Sequence, residues 1–213
     1  MMKNVYFVSG IDTNIGKSYA TGYIARKWNE QGIRTITQKL VQTGNTDWSE
    51  DIELHRKLMG TNPFPDDYEK LTMPEIYTYP SSPHLASEID KRHIDFAKIE
   101  WATSVLSDRY DAVLLEGAGG LMVPLTRSLL TIDYIAQKHY PLILVTSGRL
   151  GSINHTLLSL EAISKRNIKL YAVAYNLYPK VDDDIINRDT EDYVRNVLRE
   201  FYPNTRFITI PSL

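Results

Sequence analysis

The chain has 213 residues, 43% hydrophobic and 23% charged, with a formal net charge of −2 and no cysteine. That length and balance suit a single α/β domain over residues 1–213 and exclude a disordered or collagen-like chain. Near-neutrality offers no field for nucleic acid or anionic lipid, the missing thiols exclude disulfides and thiol catalysis, and no apolar run reaches membrane-spanning length, so a soluble cytoplasmic protein is expected.

The first predicted strand is Val5–Ser9, followed by "GIDTNIGKS" from Gly10 to Ser18 and a helix over 17–31 that stops at Gly32. Strands are then expected at Thr35–Gln38, Ala112–Glu116, Leu142–Thr146, Leu170–Tyr175 and Arg206–Ile210. Their near-continuous apolar character, as in "AVLL" and "LILV", suits strands covered on both faces. Between them, "SEDIELH" places Ser49 to cap a helix, and the segment Thr61–Pro83 reads as an ordered excursion. Phe96, Ile99, Ala102 or Thr103 and Leu106 share one helical face. A further helix is expected to start in "GSINHTLLSLEAI" with Ser152 as its N-cap, and another around Asp189–Phe201. Strands alternating with helices predict a wound, mainly parallel sheet with flanking helices, and the Gly-Lys-Ser loop after the first strand makes it of the P-loop NTPase type.

The loop at Gly10–Ser18 carries the first chemistry. It ends in Gly-Lys-Ser, as a phosphate-binding loop does, but five residues rather than four separate Gly10 from the Gly16-Lys17 pair. The strand-loop-helix context presents backbone N–H groups and a helix N-terminus to a phosphate chain. Gly16 lets the backbone approach closely, Lys17 adds a full charge toward the β- and γ-phosphates, and the Ser18 hydroxyl is a Mg²⁺ ligand candidate. The plain alternative is a Gly-bearing turn into a helix.

"YDAVLLEGAGG" ends an apolar strand in Glu116, with Gly117, Gly119 and Gly120 just beyond. An acid at the end of a buried strand suits a Mg²⁺ partner opposite Ser18, where a solvated Glu before a turn is the alternative. Asp51 is either a further metal ligand or an ordinary first-turn acid. Lys39 ends the second strand and Thr43 follows it; taken singly, such a lysine is more often solvated. His55, His84, His93, His139 and His155 have no zinc-ligand spacing.

Taken together, "FVSGIDTNIGKS", "QKLVQTG", "YTYPSSPH", "LLEGAGGLMVPL", "ILVTSGRLGSINHTLLS" and "AYN" resemble the dethiobiotin synthetase family. The matches run in order from Tyr6 to about Asn176, and the family's loop has the same extra residue. The resemblance implies ATP- and Mg²⁺-dependent conversion of 7,8-diaminononanoate and CO₂ to dethiobiotin through a carbamate and a carbamic-phosphoric anhydride. It implies Lys17 and Lys39 as charge-neutralising catalytic residues and Ser18, Asp51 and Glu116 as Mg²⁺ ligands. Nucleotide contacts are implied for Asp12, Thr13, Asn14, Ile15, Gly16, Lys17, Ser18, Tyr19, Glu116 and Asn176, the last at the adenine. Substrate contacts are implied for Thr13, Lys39, Thr43, Gly117, Ala118, Gly119 and Gly120. Gly151, Ser152 and Asn154 would bind the distant carboxylate from a neighbouring subunit, which implies a homodimer with shared sites and only small-molecule substrates.

The chain departs from the family's pattern in carrying Asn14 where Glu is usual and Ser18 where Thr is usual. It closes on "FITIPSL" where many relatives continue over the base, so less selective nucleotide binding is expected. A nucleotide-switched assembly ATPase of the partitioning or positioning kind is the competing reading. Such proteins carry an extra Lys early in the loop, where Asp12 stands here. Cobyrinate-type amidoligases need a glutaminase Cys, which this chain lacks.

Overall fold

The computed structural model describes residues 4–178 and 183–212. The N-terminal strand β1 (Val5–Gly10) runs into a loop and then helix α1 (Lys17–Glu30), which ends two residues before Gly32. Strands β2 (Thr35–Lys39) and β3 (Gln42–Thr43) precede α2 (Glu50–Met59), α3 (Pro65–Tyr68), β4 (Ile76–Tyr77), α4 (Pro83–Ile89) and α5 (Phe96–Arg109). The chain closes with β5 (Ala112–Gly120), α6 (Thr131–Lys138), β6 (Leu142–Ser147), α7 (Ser152–Lys165), β7 (Leu170–Asn176), α8 (Asp184–Phe201) and β8 (Arg206–Ile210). Each expected strand is present, extended by a residue or more wherever the apolar run leads into small or polar residues that keep pairing.

The main sheet has the order β2-β5-β1-β6-β7-β8, and every pairing in it is parallel. From β1 the chain moves to one edge, returns to insert β5 beside β1, then crosses β1 to build β6, β7 and β8 outward. Loops leaving β1 therefore sit at the point where the winding reverses, the usual ligand crevice of an open parallel sheet. The inner strands are buried on both faces: Val5, Phe7, Val113, Leu114, Leu115, Ile143, Leu144 and Val173 are fully enclosed. Such runs of β-branched and aliphatic residues cannot expose one face without losing roughly 1.5–3 kcal/mol per large side chain, which fixes the sheet in the middle.

The segment Thr61–Pro83 is ordered, and a buried ion pair anchors it. Arg56 on α2 grips Asp67 in two places, Nε to Oδ2 at 2.8 Å and NH2 to Oδ1 at 2.7 Å, while Thr72 Oγ1 and the Phe64 N–H also donate to that carboxylate. The same guanidinium donates to Thr37 Oγ1 on β2 at 2.7 Å, so the excursion, α2 and the sheet are tied together. Helices α1 and α2 approach closely because residue 22 is glycine: a Cβ there would lie 2.9 Å from Leu58 Cδ1 and 3.1 Å from His55 Cα.

Two expectations need correction. Ser152 is the first residue of α7, and the N-cap is Gly151 at φ 92°, a left-handed conformation that a serine would adopt only with strain. The Ser152 hydroxyl instead faces Ser147 Oγ at 3.2 Å. β5 also does not end at Glu116: its glycines continue the ladder until Gly120 pairs with Gly10, past an irregularity between Val8 and Gly10.

Candidate active site

The site forms where β1, β2 and β5 end. α1 opens on Gly16 at φ 74° with no side-chain cap and no acid in its first turn, in contrast to α2, which Ser49 caps and Glu50, Asp51 and Glu53 follow. The first amide groups of α1 are thus left without a side-chain cap, the condition under which an anion serves as cap. A Cβ on residue 16 would overlap the Asn176 amide and lie 2.8 Å from the Tyr178 carbonyl oxygen, so glycine is required sterically as well as by φ.

Lys17 is only 8% exposed, and its ammonium makes no ion pair or hydrogen bond among the described residues. Burial pulls its pKa below the ordinary lysine value, with Glu116 opposing in part. A buried, unpaired cation is costly unless an anion completes it. Lys39 is buried too, contrary to the usual solvated lysine, and bridges two acids: Nζ lies 2.5 Å from Asp51 Oδ2 and 2.8 Å from Glu116 Oε1, with the Gly117 carbonyl at 3.2 Å. Burial opposes its charge, but Glu116 and Asp51 outweigh that and raise the Lys39 pKa. Burial would likewise raise the Glu116 carboxyl, yet Lys39, His55 and Lys17 hold it well below the usual carboxylate range.

Ser18 Oγ stands 2.5 Å from Asp51 Oδ1 and 2.8 Å from Glu116 Oε1. Its single proton cannot serve both acceptors at once, so one of the two carboxylate oxygens faces the hydroxyl with no hydrogen between them. That all-oxygen set fits Mg²⁺, which takes one or two carboxylates and completes its shell with phosphate oxygens and water. No cluster of three His, Cys, Asp or Glu among the described residues forms a self-contained metal cage.

A cleft of about 320 Å³ opens over these groups. Of the residues named from the sequence, Thr13, Asn14, Gly16, Lys17, Ser18, Tyr19, Lys39, Thr43, Asp51, Glu116, Ala118 and Gly119 line it. Ile15 is buried, and Asp12 turns to accept from the Thr13 N–H at 2.7 Å and to pair with Arg149; both shape the loop rather than face the cleft. Gly120 is occupied in the β1 pairing, and Gly117 contributes its carbonyl to Lys39. A larger cavity of about 520 Å³ lies at the opposite end of the strands, beside Tyr6, Trp28 and Tyr171, and has none of this chemistry.

Asn176, named from the sequence for the adenine, lies against the back of the Gly10–Ser18 loop. It is fully buried, its amide donates to the Ile15 and Gly16 carbonyls at 2.9 and 3.1 Å, and its Oδ1 accepts from the Tyr178 N–H at 3.1 Å. These contacts brace the Gly10–Ser18 loop from behind. Gly151, Ser152 and Asn154 do not reach this chain's cleft; Gly151 and Asn154 line a separate groove with Leu150, Ile153 and Ile185.

Sequence reasoning missed Tyr178, which lines the cleft and stacks on Tyr19 with ring centres 4.4 Å apart. It also missed His55, whose Nε2 lies 2.9 Å from Glu116 Oε2. The signal for His55 was its place four residues after Asp51, on the same helical face.

A family model described as an AAA domain matches residues 4–213. An ATP-dependent dethiobiotin synthetase of Pasteurella multocida is 48% identical over 97% of this chain and 96% of its own length. One from Haemophilus influenzae is 52% identical over 85% of this chain and 95% of its length, and one from Chlorobaculum tepidum 48% over 94% and 84%. Among solved structures, the MinC–MinD cell-division complex of Aquifex aeolicus superposes with a TM-score of 0.58 at 14% identity, covering 99% of this chain and 82% of that one. A ParA-family ATPase of Chlorobium tepidum gives 0.54 at 16% identity, covering 99% and 85%. These structural likenesses establish the α/β P-loop fold alone. The near-complete coverage by the sequence relatives decides the family: the chain belongs to the ATP-dependent dethiobiotin synthetases.

Proposed function

We infer that this chain is an ATP-dependent enzyme that closes the ureido ring of dethiobiotin from 7,8-diaminononanoate and CO₂, releasing ADP and phosphate. The observation that carries the reading is the convergence of Lys17, Lys39, Ser18, Asp51 and Glu116 at the switch point of the sheet. One amine adds to CO₂ and loses a proton, giving a carbamate. A carbamate oxygen attacks the γ-phosphorus as the bond to the bridging oxygen of ADP breaks. The second amine then attacks the carbamoyl carbon and gives up a proton to the departing phosphate, the new C–N bond forms and the C–O bond breaks, so phosphate leaves with that oxygen.

Little covalent work falls to the protein in this sequence; its task is positioning and charge neutralisation. The uncapped α1 N-terminus and Lys17 hold the triphosphate. Lys39 compensates charge where the carbamate meets the γ-phosphate. Ser18, Asp51 and Glu116 would hold Mg²⁺, which would neutralise phosphate charge. Thr13 and Thr43 reach the diamine or its carbamate, with Ala118 and Gly119 bordering the reacting groups and Gly117 and Gly120 supporting them.

We assign the fatty-chain carboxylate to the α7 N-terminus of a second copy, at its Gly151, Ser152 and Asn154. Gly151 leaves that N-terminus uncapped with no acid in the first turn, and apolar Leu150 and Ile185 beside it are 83% and 81% exposed. A homodimer of single-domain subunits, cytoplasmic and with small-molecule partners only, belongs to the same proposal. No helix among the described residues is long and apolar enough to cross a membrane.

Incubation of the purified protein with diaminononanoate, bicarbonate, Mg²⁺ and ATP tests the function. Mass spectrometry should show the ureido product in step with ADP. ATP turnover without that product would reject the synthetase reading in favour of a nucleotide switch.

A further inference from the structure

We propose that His55 is a positioning residue of this site: its imidazole holds the outer oxygen of Glu116 so that the inner oxygen is presented to Ser18 and the cation. The inference rests on reading Ser18, Asp51 and Glu116 as the Mg²⁺ set.

α2 presents Asp51 and His55 from one face, four residues apart, and each engages a different part of the site. Asp51 meets Ser18 and Lys39 directly. His55 stays behind the cleft, fully buried, and among the described residues its side chain bonds only Glu116, which is itself fully buried. The two Glu116 oxygens are divided: Oε1 takes Ser18 and Lys39, both at 2.8 Å, whereas Oε2 takes His55 at 2.9 Å. An ionised carboxylate only accepts, so Nε2 carries the hydrogen of that contact.

The other ring nitrogen sharpens the point. Nδ1 is buried with no hydrogen-bond partner among the described residues. A side chain kept merely to fill this space would be better apolar, since an orphaned polar atom is a cost without return. Among the described residues, the polar engagement of the His55 side chain is with Glu116. With Oε2 held by His55, Oε1 alone would be presented, beside Ser18, to a bound Mg²⁺. Partners of this outer kind typically govern metal affinity by about 10–100-fold.

The test is calorimetric and needs no turnover. Affinity for a non-hydrolysable β,γ-imido ATP analogue is measured with Mg²⁺ and with EDTA, and the ratio gives the gain due to the cation. In His55→Leu that gain should fall about tenfold or more, while the EDTA affinity stays within about twofold. His55→Gln places an amide where Nε2 stood and should keep the gain within about threefold; His55→Asn places it where Nδ1 stood and should lose it. The Gln and Asn pair carries the test should the Leu variant not fold. An undiminished gain in His55→Leu or His55→Asn, or an equal loss in His55→Gln, overturns the inference. A wild-type protein with no Mg²⁺-dependent gain overturns the cation site itself and the inference with it. Absence of ureido product in the synthetase assay would leave the His55 result standing.

Discussion

Lys39 and Glu116 face each other across the β2–β5 ladder, paired in parallel register at the last step of β2, with the ammonium 2.8 Å from Oε1. Parallel register turns both side chains to the same face, so two ordinary strand ends generate a buried ion pair at the rim where ligands bind. The Asp51 carboxylate closes on the same ammonium at 2.5 Å.

Replacing Lys39 by Met removes the cation assigned to the transferring group. Turnover should fall by ~10² or more, as for other lost charge-stabilising donors. Two acids then lose their shared partner, and stability should drop by about 3–5 kcal/mol in the absence of ligand, as for a broken buried pair. Steady-state kinetics and thermal unfolding check the two effects separately. Near wild-type turnover would remove Lys39 from its assigned role.

Glu116→Gln keeps shape and volume while replacing an anionic oxygen set with a neutral amide. The concentration of Mg²⁺ needed for half-maximal rate should rise by roughly tenfold or more, the scale of lost metal-site contacts. A Mg²⁺ titration that superposes on wild type would dissociate Glu116 from the cation.

Gly16→Ala tests the loop's geometry. The added methyl meets the Asn176 amide and the Tyr178 carbonyl, at a backbone φ of 74°. Strain of about 1–3 kcal/mol is expected from the conformation alone. Every 1.4 kcal/mol of it borne by the bound loop weakens nucleotide binding about tenfold. Equilibrium binding of ATP measures the loss, and unaltered affinity would mean that the loop relaxes away from Asn176.

The Arg56–Asp67 pair supplies a pH signature. Burial would raise the Asp67 pKa, but Arg56, Thr72 and the Phe64 N–H outweigh it and hold the group below its ordinary value. A depressed folded-state pKa means that the contribution is complete above the unfolded value of about 3.9 and is lost as pH falls below it. Acid titration of thermal stability should therefore show a decline below about pH 4 that is shallower in Asp67→Asn. Identical slopes would exclude Asp67 from the acid response.

Much of this architecture is legible from residues alone. Unbroken aliphatic runs cannot be surface strands, so the parallel sheet follows from them, and a Gly-Lys-Ser turn after the first run locates the phosphate end. Ser18, Asp51 and Glu116 are each ambiguous singly, because capping acids and metal ligands share one chemistry; only the fold brings both carboxylates within 2.8 Å of the Ser18 hydroxyl. β3 and β4, at two residues each, carry too little pattern to announce themselves. Asn176 and His55 show a different limit. Their roles come from what lies against them across 160 and 61 residues of sequence, and no local periodicity encodes that. Gly151 likewise displaced Ser152 as the cap of α7 because the entering backbone is left-handed.

The central claim is that captured CO₂ is activated by phosphorylation beside Lys17 and Lys39. Turnover with ¹⁸O-labelled bicarbonate tests it most directly, because the carbamate oxygen that attacks the γ-phosphorus departs with phosphate. The account predicts one ¹⁸O in each phosphate released together with dethiobiotin. Phosphate labelled only from solvent water would contradict it.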